Sequence, residues 1–242
     1  MINVLDNINY IREIIFVLSR KFNRDEKSIR LVCVTKEATP FQINQAIEAG
    51  VIDFGENRIQ EARKKIIEIN KMAHWHMIGH LQRSKIKEVL KIFDLIQTID
   101  SVELAEAVEF EAQRQNRIVD ILIQVNTSGE SSKFGINPKE LLGFVLHTVT
   151  LKHIKILGLM TIAPFTDNPE LSRPYFIQMR KLSQQLKDAC PQNARMDILS
   201  MGMSLDFEVA VEEGSNMVRI GTLIFKCDTE TVKERLKCIS RN

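Results

Sequence analysis

Lys36 is the residue of this sequence best suited to covalent chemistry, because of what precedes it. It follows Val32 and Val34 at alternate positions in the run IRLVCVT at 29–35 and beyond, and residues two apart on a strand share a face. If that face lines a core, a lysine amine arrives at its end. Lysine is seldom buried without a partner. Burial near other cations lowers its pKa and leaves the neutral amine that attacks an aldehyde. A solvated lysine fraying off a strand end is the plain alternative. Two other segments, SMGMS at 200–204 and RIGT at 219–222, combine glycine with hydroxyl side chains. Glycine lets the backbone approach an anion closely, and N–H groups at a helix start point toward it. The plain alternative has Ser204 capping its helix while Gly202 and Gly221 permit turns. A Schiff-base lysine beside a phosphate cradle is what pyridoxal 5′-phosphate requires.

Arg219 shares parity with Met217, so it is expected to point inward. A guanidinium only donates; facing a pyridine nitrogen, it leaves that nitrogen unprotonated and the ring a weaker electron sink. An ion pair with Glu208, Glu212 or Glu213 is the alternative. Asn57, with Gln60 three residues on, is either a helix N-cap in a capping-box-like arrangement or a ligand contact. His74, His76 and His80 raise a metal reading, but zinc needs three or four ligands and no matching pair stands at the other strand ends. No metal is therefore assigned. Lys133, in a glycine-flanked loop, is expected to be solvated or to lie over the pocket mouth.

Positioning these residues requires strand ends gathered on one rim. Apolar runs recur at 29–35, 51–54, 74–79, 93–99, 118–126, 154–160, 196–201 and 216–221. Helical patterns alternate with them at 40–50, 57–72, 84–92, 101–115, 138–149, 170–188, 204–213 and 229–239. Gly50 is placed as a C-cap. Strands apolar at consecutive positions fit a parallel sheet covered on both faces. Eight such units in 242 residues favour an α/β fold of the (β/α)8 barrel type, with chemistry where the strands end. The absence of G-x-G-x-x-G after any strand counts against a dinucleotide site. Val4, Ile8, Ile11, Ile15 and Leu18 form one stripe of a leading helix. The chain is expected to be one domain, 1–242, with residues 1–22 packed on the barrel.

A formal net charge of +2 provides no field for nucleic acid or anionic membrane. The basic group Arg83, Lys85, Lys87 and Lys91 is interleaved with apolar residues, as on the solvated side of a helix. Cys33, Cys190, Cys227 and Cys238 have no regular spacing, which suits reduced thiols. The longest N-terminal apolar run, IIFVL, is too short for a span. A cytoplasmic protein with neither a membrane nor a nucleic-acid partner is expected.

The segments VTK at 34–36, FGENRIQE at 54–61, WHMIGHLQRSK at 75–85 and VNTSGESSKFG at 125–135 resemble the YggS/PROSC family of pyridoxal phosphate homeostasis proteins. So do GLMTIAP at 158–164, LSMGMSLDFEVAVEEGS at 199–215 and VRIGTLIF at 218–225. The resemblance implies a barrel like the N-terminal domain of alanine racemase, the type III pyridoxal phosphate fold. It implies a Schiff base on Lys36, phosphate contacts from Ser200, Gly202, Gly221 and Thr222, and Arg219 on the pyridine nitrogen. Asn57 and Met160 would line the ring. Four positions depart from the family pattern: Arg58, Ser84, Ala38 and Lys226.

Two functions follow. One is a carrier that binds, buffers or delivers pyridoxal phosphate to apo-enzymes as transient recipients, acting as a monomer or weak dimer with no catalytic residue. The other is a small racemase-like enzyme. Racemisation needs an acid/base on each face of the cofactor, and the only tyrosines, Tyr10 and Tyr175, lie in expected helices away from the rim. The carrier is therefore favoured.

Overall fold

Eight short strands run parallel and close on themselves in chain order. They are β1 (Arg30–Val34), β2 (Asp53–Glu56), β3 (His74–Met77), β4 (Leu95–Ile99), β5 (Val119–Gln124), β6 (Ile154–Met160), β7 (Ile198–Ser200) and β8 (Met217–Ile220). Pairing of Arg30 through Cys33 with Met217 through Ile220 closes the ring. The computed structural model describes residues 1–69, 73–130, 133–189 and 194–240. Cys190 and the end of the expected helix at 57–72 lie outside them.

Helices separate the strands: α1 (Val4–Lys21), α2 (Pro40–Glu48), α3 (Ile59–Glu68), α4 (Ile86–Ile92) and α5 (Val102–Arg114). Then come α6 (Leu141–Thr148), α7 (Arg173–Ala189), α8 (Phe207–Glu212), α9 (Thr222–Phe225) and α10 (Thr229–Ser240). The arrangement is the expected (β/α)8 barrel with an extra leading helix. Among the described residues, no helix is long and apolar enough to cross a membrane.

Parity along each strand explains the two-sided burial. One set of side chains, including Cys33, Phe54, Trp75 and Ile96, packs outward beneath the helices. The other set, Val32, Leu95, Leu122, Met160 and Met217, forms a separate cluster inside the barrel. Gly158 lets β6 and β7 approach, since a Cβ there would lie 1.9 Å from the Ile198 carbonyl oxygen. Local signals start and stop helices as expected. Thr39 and Gln42 form a capping box at α2 with Pro40 in its first turn, and Gly50 follows that helix at φ +76°.

The expected stripe on α1 is buried throughout, against α10, α8, α2 and α9. Asn7, also buried, sends its amide nitrogen to the carbonyls of Leu223, Ile224 and Cys227 at 3.0–3.2 Å.

Two expectations shift. The run at 51–54 becomes a strand at Asp53–Glu56, because Asp53 and Glu56 are buried with hydrogen-bond partners and so complete the strand despite their polarity. The helix expected from Ser204 begins only at Phe207, with Asp206 before it.

Candidate functional site

The strand C-termini surround a two-lobed cavity. The larger lobe, about 640 Å³, opens between the loops after β2 and β3, where Asn57, His80 and Lys85 line it. The smaller, about 270 Å³, lies by the β7 and β8 loops and is lined by Ser204, Asp206, Gly221 and Thr222. Val34, Lys36, Met203 and Arg219 belong to both walls.

Lys36 occupies the turn directly after β1 and is exposed at the junction of the lobes, not buried as its parity argument supposed. Val32 and Val34 do share its face: Val32 sits in the inner cluster and Val34 lines the cavity. The turn is anchored from behind. The Thr35 amide donates to the Gly55 carbonyl at 3.0 Å and its hydroxyl to Glu56 Oε1 at 2.6 Å. Lys65 Nζ, on α3, reaches the same Glu56 oxygen at 2.6 Å and the Thr35 carbonyl at 2.5 Å.

Arg219 is buried at the cavity floor. Its Nη1 donates to Ser200 Oγ at 2.6 Å, and its Nη2 donates to the Thr161 carbonyl at 2.8 Å. Burial pushes its guanidinium down to about 10, with Asp206 opposing that fall, so it is charged at neutral pH. The alternative ion pairs are not made. Glu208 is bound by Arg235 at 2.7 Å, and Glu212 and Glu213 by Arg173 at 2.6 and 2.7 Å.

The hydroxyl–glycine loops divide their work differently from expectation. Ser204 lines the smaller lobe and does not cap α8; its Oγ accepts instead from the Leu223 amide in the first turn of α9, at 3.5 Å. Gly221 is pressed against β1, where a Cβ would come within 2.9 Å of the Val34 carbonyl oxygen. Ser200 is not on the wall: its hydroxyl accepts from Arg219 and donates to Gln97 Oε1 at 2.7 Å. Gly202 (φ +92°) is also off the wall, folding the loop onto α8 where a Cβ would lie 2.5 Å from Ala210 Cβ. Met160 belongs to the inner cluster instead of the cavity lining.

Asn57 lines the larger lobe, and the N-cap of α3 is Arg58 with no side-chain cap bond, so the capping-box alternative fails. The histidines separate. His74 is exposed at the strand starts, His76 is buried inside the barrel, and His80 stacks on Phe134 at 3.8 Å. Among the described residues, no group of three or more histidine, cysteine or acidic side chains is placed to hold a metal. Lys133 is partly buried 3.3 Å from Glu130 and lines neither lobe.

Sequence reasoning missed Asp53, Gln97 and Met203. Asp53 and Gln97 sit on inward parity, two positions before Gly55 and two after Leu95. A polar side chain at that phase of a buried strand is the signal that was available.

The family described as "Alanine racemase, N-terminal domain" matches residues 17–229. A protein of Aquifex aeolicus named pyridoxal phosphate homeostasis protein is 38% identical over 92% of this chain and 97% of its own. The chain belongs to the YggS/PROSC family. Within that family, PipY of Synechococcus elongatus, solved with PLP bound, has a TM-score of 0.77 at 33% identity, covering 88% of this chain and 99% of PipY. A crystal structure of an unknown protein from Bifidobacterium adolescentis superposes with TM-score 0.86 at 34% identity, covering 92% and 94%. Alanine racemase of Clostridium difficile, at 15% identity and TM-score 0.73 over 94% of this chain and 57% of that one, shares the fold. As a family member the chain places its departures on or near the rim. Arg58 pairs with Glu61 at 3.3 Å, Lys226 pairs with Glu37 beside Lys36, Ser84 is exposed and Ala38 is buried.

Proposed function

We propose that residues 1–242 form one pyridoxal 5′-phosphate-binding unit that holds, buffers and hands on the cofactor. The observation that carries this reading is the shared wall: Lys36 and Arg219 line both lobes of the cavity. The residues fit the group. Gly221 leaves room against β1 that a side chain would fill, and Ser204 and Thr222 bring hydroxyls to the same small lobe. Pyridoxal phosphate supplies an aldehyde that bonds an amine and a ring that withdraws electrons.

Lys36 is the attachment point. Its exposure on a braced turn leaves the amine accessible to an arriving aldehyde and to a competing amine. Ser204, Gly221 and Thr222 hold the phosphate, and Arg219 donates to the ring nitrogen and keeps a proton off it. Asn57 borders the ring on the larger-lobe side. Ser200, Gly202 and Met160 act from behind, the first two by fixing Arg219 and the β7 loop. Weak electron withdrawal favours retention over turnover. Neither tyrosine lines the cavity, which supports the carrier over the racemase. Transient delivery to apo-enzymes in the cytoplasm, by a monomer or weak dimer, completes the proposal.

Adding pyridoxal phosphate to the purified protein tests it. A visible absorption band is expected, with borohydride fixing the added mass on the peptide containing Lys36, and both are expected to vanish in Lys36→Ala. A protein that stays colourless refutes cofactor binding. Amino-acid racemisation that disappears in Lys36→Ala refutes the carrier.

A further inference from the structure

Barrels of this type are ordinarily filled with branched apolar side chains. Here a line of polar ones crosses the interior from the cavity to the strand starts. Arg219 Nη1 meets Ser200 Oγ at 2.6 Å, and Ser200 Oγ meets Gln97 Oε1 at 2.7 Å. Gln97 Nε2 meets His76 Nδ1 at 2.9 Å, and His76 Nε2 meets Asp53 Oδ1 at 3.1 Å. Arg30 closes the far end on both Asp53 oxygens, at 2.8 and 3.1 Å. None of Asp53, His76, Gln97, Ser200 and Arg219 is more than 3% exposed.

The direction of every bond follows from the first. A guanidinium has no acceptor, so Ser200 must accept from Arg219 and give its own hydrogen to Gln97. That occupies the Gln97 oxygen and turns its NH2 toward His76. An amide NH2 only donates, so His76 Nδ1 must offer a lone pair, and the ring proton stands on Nε2, directed at Asp53. All donors point from the cation at the cavity to the carboxylate at the opposite end. No single link can reverse without leaving a buried group unpaired, which is costly.

We propose that Gln97 is a positioning residue for Arg219, acting through Ser200, and that the line it belongs to fixes His76 as the neutral Nε2–H form. With Ser200 held by Gln97, the guanidinium has two fixed acceptors, Ser200 Oγ and the Thr161 carbonyl, and its plane cannot swing. Without Gln97 the Ser200 hydroxyl is free to turn. This rests on the reading that Arg219 faces the cofactor ring.

Two measurements test it. Nitrogen-15 NMR of the cofactor-free wild-type protein is expected to show His76 with Nε2 protonated and Nδ1 bare; the opposite tautomer or the imidazolium overturns the proposed line. That result is independent of cofactor binding. Gln97→Leu and Ser200→Ala are each expected to weaken pyridoxal phosphate binding about tenfold, the scale of one charged hydrogen bond. Each should also shift the bound absorption maximum, and the double variant is expected to lose no more than either single one. Unchanged affinity and spectrum in Gln97→Leu, or additive losses in the double variant, overturn the positioning role. Should the variants not fold, the His76 tautomer in the wild type still decides. If the wild type takes up no cofactor, the functional reading fails while the tautomer is still read.

Discussion

Asp53 is a carboxylate held charged against the effect of its burial. Burial raises its pKa, but hydrogen bonds from His76 and Arg30, together with the Arg30 charge, outweigh this and bring it to about 2. A depressed folded-state pKa means that its stabilisation is present above the unfolded value, roughly 3.9, and is lost as pH falls from there toward 2. The loss is at most about 2.6 kcal/mol. Urea midpoints measured from pH 5 to 2 are expected to fall for the wild type and to fall less for Asp53→Asn; parallel curves would show that the carboxylate is not held by its partners. Ser204 gives a second expectation at this scale. Ser204→Ala should weaken pyridoxal phosphate several-fold, as for one lost hydrogen bond (about 1 kcal/mol), and leave unphosphorylated pyridoxal unaffected. Competitive titration separates the two, and equal losses for both ligands would remove Ser204 from the phosphate lobe.

The turn that carries Lys36 depends on its neighbours for its shape. Thr35, Glu56 and Lys65 tie the end of β1 to β2 and α3 through a buried ion pair, and Glu56 Oε2 has no hydrogen-bond partner of its own. Removing one partner of a buried pair strands the other, at a cost of about 3–5 kcal/mol. Lys65→Met is therefore expected to lower the thermal midpoint clearly and to slow attachment at Lys36, while Lys64→Met on the same helix does neither. Calorimetry and stopped-flow absorbance read the two effects. None of this was legible from the pattern, because Lys65 looks like any charge on an amphipathic helix until α3 lies across β1 and β2.

Across the whole molecule, α1 links the chain's two ends to the site. Asn7 serves three carbonyls at and beyond the end of α9, the helix that begins with Thr222 directly after Gly221. Thr229 bonds Met1 and Asn3 nearby. Asn7→Leu leaves those carbonyls buried without their donor, a loss of about 1–3 kcal/mol. The expected outcome is a lower thermal midpoint together with faster release of cofactor to an acceptor apo-enzyme. A drop in stability with unchanged release would confine α1 to a structural role.

Strand and helix alternation, the α1 stripe and the order of rim segments are properties of local spacing, so the sequence alone determined the barrel, its extra helix and Lys36 as the candidate amine. Which serine faces the cavity was beyond it. Ser200 and Ser204 have the same chemistry four residues apart, and only the setting of β7 between β6 and β8, with Ser200 turned across the interior to Gln97 of β4, puts one in the interior beneath Arg219 and the other on the wall. The same holds for Asp53, His76 and Gln97, which stand on three strands and look unrelated in the chain. Closure of the barrel directs their side chains to one axis, where each meets the next. Local spacing sets which face a residue takes; which residues meet across a closed sheet is set by register, and that is a tertiary quantity.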